Sequence, residues 1–455
     1  MSQPPKPPDY YAGCNERLAR LVPADARRVL EVGCGEGRLG ALLKTMLPGR
    51  EVFGIERDTG AAEVAASNLD RVFTLDVEQE EPPLEPGSID VLLYGDVLEH
   101  LINPLAVLQR HRSFLRPGGI VLASIPNVQH HSVLSRLVGG DFQYEPAGLL
   151  DATHLRFFTW STIFKLLLDA GFAPEIVDET RVPASTGFLQ AAEPLLKHLG
   201  LHAVRTRRYL DTYQYIVRGT LLSDPPPGPA EPLTFAACVN DETSLRTNLM
   251  ASPCLRPGTG HEVLLARGCR NIADGLNAAV SRAKNAWVVC VHQDVYLPEG
   301  WDRRVVQQLR DAEAKLGRVG VAGVIGAAHA GPVEEHAMSP LVGWVVDRDR
   351  LLRGPEALPA PAETLDELVL ILPRGNPLRF DPALGFHFYG ADLCLQARER
   401  GLSTVAVEAL CFHNQRGVEL PADFAASGHS FAKKWAERLP VKTTCAVVDN
   451  DRFDR

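Results

Sequence analysis

Val29-Leu30-Glu31-Val32-Gly33-Cys34-Gly35-Glu36-Gly37 is the stretch on which the reading of this chain turns. A short, mostly apolar run leads straight into glycines, and Arg38-Leu39-Gly40-Ala41-Leu42-Leu43-Lys44 follows with apolar residues at helical spacing. The pattern predicts a buried strand, a tight turn and a helix. Glycines at such a turn let the backbone pass close to a ligand, and a helix start offers unpaired N–H groups. A nucleotide-like molecule is the expected guest.

A dinucleotide-binding fingerprint would read G-x-G-x-x-G, but here the third glycine arrives one residue early, at Gly37, and Arg38 follows it. That spacing disfavours NAD and redox chemistry. Glu31 and Glu36 would repel a pyrophosphate, whereas they suit a ligand with a cationic amino group and a sulfonium. The stretch resembles motif I of the class I S-adenosylmethionine (SAM)-dependent methyltransferases. The resemblance implies an α/β, Rossmann-like domain with Glu31, Gly33, Gly35 and Gly37 around SAM.

Alternating strands and helices continue downstream. Residues 51–58 predict a second strand, and Glu56 lies about twenty residues beyond the turn, where doubly wound folds place a carboxylate for ribose hydroxyls. A third strand over 72–77 brings Asp76 to the place where the methyltransferase pattern has an acceptor for the adenine N6. A fourth spans 89–96, and Asp96-Val97-Leu98-Glu99-His100-Leu101 resembles motif IV of small-molecule methyltransferases, which adds Asp96 to the cofactor residues and starts a helix at Val97. Arg116-Pro117-Gly118-Gly119 predicts a turn before a strand over 120–125, as in the same family. A lead-in helix is expected over 11–21, another over 163–170 capped by Trp160-Ser161-Thr162, and a closing strand over 213–218.

The segment 148–158, polar and aromatic at once, resembles the acceptor lid of methyltransferases joined to glycosyltransferases, which implies a sugar hydroxyl as methyl acceptor. Such transfer needs oxygen, methyl and sulfur in line and a base for the hydroxyl proton. His100, His131 and His154 are the candidates, beside His130; each could equally be a packed or capping histidine.

With 455 residues the chain is long enough for two or three domains. Hydrophobic and charged contents of 45% and 23% are globular values, and a net charge of −9 argues against general affinity for nucleic acid or acidic lipid. Nine cysteines without a C-x-x-C pair fit neither a disulfide framework nor a structural zinc site, so a cytoplasmic location is expected. Met1-Ser2-Gln3-Pro4-Pro5-Lys6-Pro7-Pro8 lacks the apolar core of a signal peptide, and no apolar run reaches the roughly 18 residues of a membrane span, so no integral membrane segment is expected.

The proline-rich residues 223–232 read as a spacer between a methyltransferase domain over 1–222 and a second domain over 233–455. Residues 233–241 open a new βα pattern, and a buried strand over 286–291 ends in His292-Gln293-Asp294-Val295. This order resembles the GT-A fold of family 2 glycosyltransferases, with Asp241 at the nucleotide end of the first strand and Asn277 in the helix before the metal-binding strand. Only the last carboxylate of the D-x-D position is present, as Asp294; Mg²⁺ or Mn²⁺ can still be held by one or two carboxylates plus substrate phosphates. The resemblance makes Asp392, at a helix start, the catalytic base, although Ala391 stands where a Glu is usual. His413, after a strand over 405–411, would face the metal. A nucleotide-sugar donor and a glycan or small-molecule acceptor are the implied partners, in a bifunctional enzyme of glycan or glycosylated-metabolite synthesis. The alternative is a non-catalytic sugar-nucleotide or glycan-binding module.

Overall fold

The computed structural model describes residues 10–199, 201, 203–328, 340–415, 423–449 and 453–454, and the N-terminal Met1–Pro8 stretch lies outside them. Two compact units divide the chain, Met1–Asp224 and Pro225–Arg455. Among the described residues no helix is long and apolar enough to cross a membrane.

In the first unit the lead-in segment is a single turn at Tyr10–Ala12, then helix α1 (Glu16–Leu21), which starts where the Asn15 side chain accepts the Leu18 N–H. Strand and helix then alternate: β1 (Arg28–Val32), α2 (Arg38–Met46), β2 (Glu51–Glu56), α3 (Thr59–Ala65), β3 (Arg71–Thr74), β4 (Ile89–Gly95), α4 (Pro104–His111) and β5 (Leu115–Pro126). The chain continues through α5 (His131–Val138), α6 (Trp160–Asp169), β6 (Phe172–Arg181), α7 (Thr186–His198), α8 (Ala203–Asp211) and β7 (Thr212–Leu221).

These strands form one sheet in the order β3-β2-β1-β4-β5-β7-β6. The pairs from β3 to β5 are parallel, and β7 is antiparallel to both its neighbours. Central strands covered on both faces are mostly apolar, and Val29, Leu30, Val91, Leu92 and Leu93 are all buried. Leu18 of α1 and Leu39 and Leu43 of α2 pack on Val29, Val91, Leu93 and Leu122. The strand order reverses between β1 and β4, so a crevice opens beyond their C-terminal ends.

Three details depart from the sequence reading. The Arg116–Gly119 turn lies inside β5, which passes through it with a register shift against β4 while Gly118 takes φ +76°. After β4 the chain makes only a short turn at Leu98–His100 before α4. The cap of α6 is Thr159, reciprocally bonded with Thr162.

The second unit contains β8 (Thr234–Val239), α9 (Glu242–Thr247), β9 (Glu262–Arg267), α10 (Ile272–Arg282), β10 (Trp287–Val291), β11 (Val295–Tyr296), α11 (Trp301–Leu316), β12 (Val319–Gly323), β13 (Ile325–Ala327) and β14 (Leu341–Asp347). It continues with β15 (Arg350–Arg353), β16 (Ala360–Pro361), β17 (Thr364–Leu365), β18 (Val369–Pro373), α12 (Tyr389–Glu399), β19 (Ser403–Ala406), β20 (Phe412–His413) and α13 (Phe424–Lys434). The main sheet runs β16-β19-β12-β18-β10-β8-β9, and a second runs β11-β20-β14-β13-β17. The strand expected over 405–411 is broken: β19 ends at Ala406, the Ala409 carbonyl accepts the Trp301 indole N–H at 2.9 Å instead of a ladder bond, and β20 joins the second sheet. His413 is therefore within a strand.

Candidate active sites

The turn after β1 is stiffened by its own hydrogen bonds. Gly33, Gly35 and Gly37 take φ of +68°, +52° and +73°, and a Cβ on Gly35 would stand 2.5 Å from the Tyr11 carbonyl oxygen. The N–H groups of Gly33 and Cys34 donate to the Ile55 carbonyl at 2.8 and 3.0 Å, that of Glu36 to Tyr11 at 2.9 Å, and that of Gly37 to Cys34 at 2.8 Å. Gly35 donates to Glu56 Oε2 at 2.9 Å. With these N–H groups committed, the turn is no nest for a phosphate, in agreement with the glycine spacing.

Glu56 is buried, and its other oxygen accepts the Asp58 N–H at 2.9 Å. It clamps both loops while each oxygen keeps acceptor capacity for a ligand. Asp76, half-buried, accepts the Glu78 N–H at 3.0 Å and lies 3.8 Å from the exposed Arg57. Glu31 is 5% exposed and its Oε2, beside Gly40, has no hydrogen-bond partner. The structure thus corrects its expected place: it is sunk under the start of α2, and burial, with the Glu56 charge adding, pushes its carboxyl up to about 8.

That burial has a measurable consequence. Glu31 keeps its proton in the fold where the unfolded chain has lost it, so stability falls as pH rises from the ordinary value of 4.5 and levels off above about 8. Melting of the wild type against pH should show this decline, and Glu31→Gln should make it shallower; equal slopes in both would remove Glu31 as a source.

Asp96, directly after β4, lies in the left-handed region at φ +55°, its N–H on Ser124 Oγ at 3.1 Å and its Oδ1 accepting from Gln214. It reaches water at the crevice, yet the surrounding walls still pull its carboxyl up to about 6. Glu99 is 1% exposed, and burial, then the Asp96 charge, raises its carboxyl well above the usual range. His100 and His154 meet edge to face with ring centroids 4.8 Å apart, and His154 Nε2 is 4.0 Å from Glu99 Oε1. His131 belongs to another group: its Nε2 and that of His130 share the Val182 carbonyl at 3.1 and 3.0 Å, with the rings 4.1 Å apart. Of the four candidate bases, His100 and His154 are thus brought together with Glu99, and His130 and His131 are tied to a backbone carbonyl.

In the second unit β8 and β10 are parallel neighbours, so the loops that follow them emerge side by side. Gln293 ties them together, its Oε1 accepting the N–H groups of Asn240 and Asp241 at 3.0 Å each. Asp241 caps α9 through the Thr243 and Ser244 N–H groups. His413 Nε2 is 3.5 Å from Asp294 Oδ1, its Nδ1 is 2.8 Å from Asp347 Oδ1, and His292 Nε2 is 2.7 Å from the Tyr389 hydroxyl. Burial alone would lower the His413 imidazole, but Asp294 and Asp347 raise it to about 10; burial would raise Asp294, but His413 holds it far below the usual carboxylate range. His292, Asp294 and His413 offer ligand atoms within 4.8 Å of one another, a set able to hold a metal ion.

A family model described as a methyltransferase domain matches residues 9–176, and one described as a glycosyltransferase-like family matches residues 234–434. The chain joins a methyltransferase domain to a glycosyltransferase-like domain. Similar proteins include a ubiquinone biosynthesis O-methyltransferase of Paracidovorax citrulli, 32% identical over 128 residues, which cover 27% of this chain and 53% of that one. A probable S-adenosylmethionine-dependent methyltransferase of Mycobacterium tuberculosis is 32% identical over 154 residues, 34% of this chain and 52% of that one. The chain spans about half the length of these relatives. A SAM-dependent methyltransferase from Archaeoglobus fulgidus superposes with a TM-score of 0.34 at 19% identity, over 47% of this chain and 96% of that one.

In the glycosyltransferase-like domain the structure overturns one expectation. Asp392 is 0% exposed, on the first turn of α12, with Oδ2 accepting from Gln396 at 2.7 Å and Oδ1 accepting from Trp435 Nε1 at 2.8 Å and Lys434 Nζ at 2.7 Å. A base must reach its proton, and this carboxylate is enclosed and satisfied. Asn277 is likewise structural, its amide bonding the Phe380 carbonyl and N–H at 2.8 and 2.9 Å. Sequence reasoning passed over Glu367, which burial and then Asp366 push up to about 8, and whose carbonyl is 3.4 Å from the Tyr389 hydroxyl. The signal available was the Asp366-Glu367 doublet directly before a buried strand. It also passed over Asp347, the partner of His413, and Glu99 in the methyltransferase domain.

Proposed function

We propose that the methyltransferase domain transfers a methyl group from SAM to a hydroxyl, that of a sugar, and that the glycosyltransferase-like domain transfers a glycosyl group from a nucleotide sugar to a glycan or small-molecule acceptor, with the proline-rich 223–232 stretch as the junction. The observation that carries the first half is the glycine turn itself. Its N–H groups are spent on protein, and Glu56 and Asp96 bring carboxylates to the turn and to the end of the neighbouring strand β4, which favours a cationic ligand over a pyrophosphate.

When bound, SAM supplies a methyl group on positively charged sulfur. Glu56 would accept hydrogen bonds from the ribose hydroxyls, Asp76 would accept one from the adenine amino group, and Asp96 would pair with the cationic amino end. His100 or His154 would take the proton of the acceptor hydroxyl that receives this methyl group. In the second domain Asp294 and His413 would hold Mg²⁺ or Mn²⁺ against the donor diphosphate, neutralising charge on the leaving group.

Glu56→Gln keeps the shape but puts a donor where acceptors are needed. SAM affinity measured by calorimetry should fall by about 1–3 kcal/mol. Unchanged affinity in a folded variant removes Glu56 from the site. A second reading, in which the glycosyltransferase-like domain only binds a sugar nucleotide or glycan, is favoured by the enclosure of Asp392. Metal-dependent hydrolysis of a nucleotide sugar separates the two.

A further inference from the structure

Glu99, His100 and His154 form a metal-binding set of their own in the methyltransferase domain: the ligand atoms they offer lie within 4.8 Å of one another. Glu99 Oε2 is buried with no hydrogen-bond partner, which for a carboxylate 1% exposed calls for a ligand. The imidazoles are already oriented from behind. His100 Nδ1 faces the Thr153 carbonyl at 3.2 Å and its Oγ1 at 3.0 Å, and that hydroxyl donates to Asp151 Oδ1 at 2.7 Å. His154 Nδ1 faces the Leu149 carbonyl at 3.3 Å. A proton on each Nδ1 puts each Nε2 lone pair forward, the tautomer that a metal-binding histidine takes when a carbonyl holds its other nitrogen. The Glu99 carbonyl also accepts the Leu155 and Arg156 N–H groups at 2.8 and 3.0 Å, which fastens the 148–158 segment to the cluster.

We propose that Glu99, His100 and His154 bind a divalent first-row transition cation whose remaining coordination positions hold the acceptor oxygen beside the methyl donor. Two imidazoles and one carboxylate favour Mn²⁺, Fe²⁺, Co²⁺ or Zn²⁺ over Mg²⁺ and Ca²⁺, and three protein ligands leave positions open. With both Nε2 atoms on the cation neither histidine would be the base; the cation would instead acidify the acceptor hydroxyl, whose proton would pass to water at the crevice. The purpose of the cation rests on the methyl-transfer reading; its binding does not.

Co²⁺ titrated into the full chain without SAM tests this, in a variant carrying Asp294→Asn and His413→Gln so that the second domain contributes no site. One equivalent should bind, with the visible absorption of a histidine-ligated ion, and adding Glu99→Gln should weaken it at least about 100-fold, beyond the 10–100-fold typical for losing an outer partner of a ligand. No binding to the reference variant overturns the proposal without any change at the cluster itself. So does undiminished binding after Glu99→Gln in protein of unchanged circular dichroism and melting. SAM affinity of the same proteins is read separately: cation binding without SAM binding leaves the metal site standing and overturns the methyl-transfer reading.

Discussion

Asp294→Asn is expected to lower glycosyl transfer by at least about 10²-fold, the upper end of what even outer partners of a metal ligand are worth. Asp294 supplies the one carboxylate of the His292-Gln293-Asp294 segment, and Gln293 is occupied by the loop after β8. Without Asp294 the set keeps two imidazoles and no carboxylate, and His292 Nε2 is bonded to the Tyr389 hydroxyl while His413 Nδ1 is bonded to Asp347. A donor diphosphate would then face no bound charge, and the leaving group would depart unneutralised. The measurement is nucleoside diphosphate release across a series of Mn²⁺ concentrations, for the wild type and the variant. Turnover that survives excess chelator in the wild type would mean that this domain works without the ion.

Asp392→Asn should act on stability instead of chemistry. Its carboxylate accepts from Gln396, Trp435 and Lys434, and an amide would turn a donor toward at least one of those donors. Breaking a buried pair costs about 3–5 kcal/mol, and because Lys434 keeps partial access to water about 3 kcal/mol is expected here. Urea unfolding followed in the second unit would report it as a lower midpoint at unchanged slope. A variant of wild-type stability with glycosyl transfer reduced 10²-fold or more would reverse this assignment and return Asp392 to catalysis.

The contrast between Asp392 and Glu56 shows what could be read from residues alone. Glu56 follows from strand length and the distance from the glycine turn, both local properties, and it does stand beside that turn. Asp392 was placed correctly in the first turn of a helix, but its fate is decided by Trp435 and Lys434, on and just after α13, more than forty residues later. Nothing in helical periodicity distinguishes a carboxylate facing a crevice from one roofed by a later helix. The Glu99, His100 and His154 cluster failed to show for the same reason, because it depends on the 148–158 segment folding back so that Leu155 and Arg156 bond the Glu99 carbonyl. The apolar run over 405–411 hides a break made by the Trp301 indole, a partner 108 residues away.

The main sheet of each unit takes in a late strand at an interior position. In the first unit β7, the last strand made, lies between β5 and β6; in the second, β18 lies between β10 and β12 and is antiparallel to both. A chain emerging from the ribosome therefore holds β5 and β6 apart with bare facing edges until residue 221 is free, and β10 and β12 until residue 373. The first unit therefore cannot be shortened from its C-terminal side by peeling away a peripheral strand. A nascent chain paused, or a message truncated, shortly before either point would present two unpaired apolar edges at once, the state most open to edge-to-edge aggregation and to capture by chaperones.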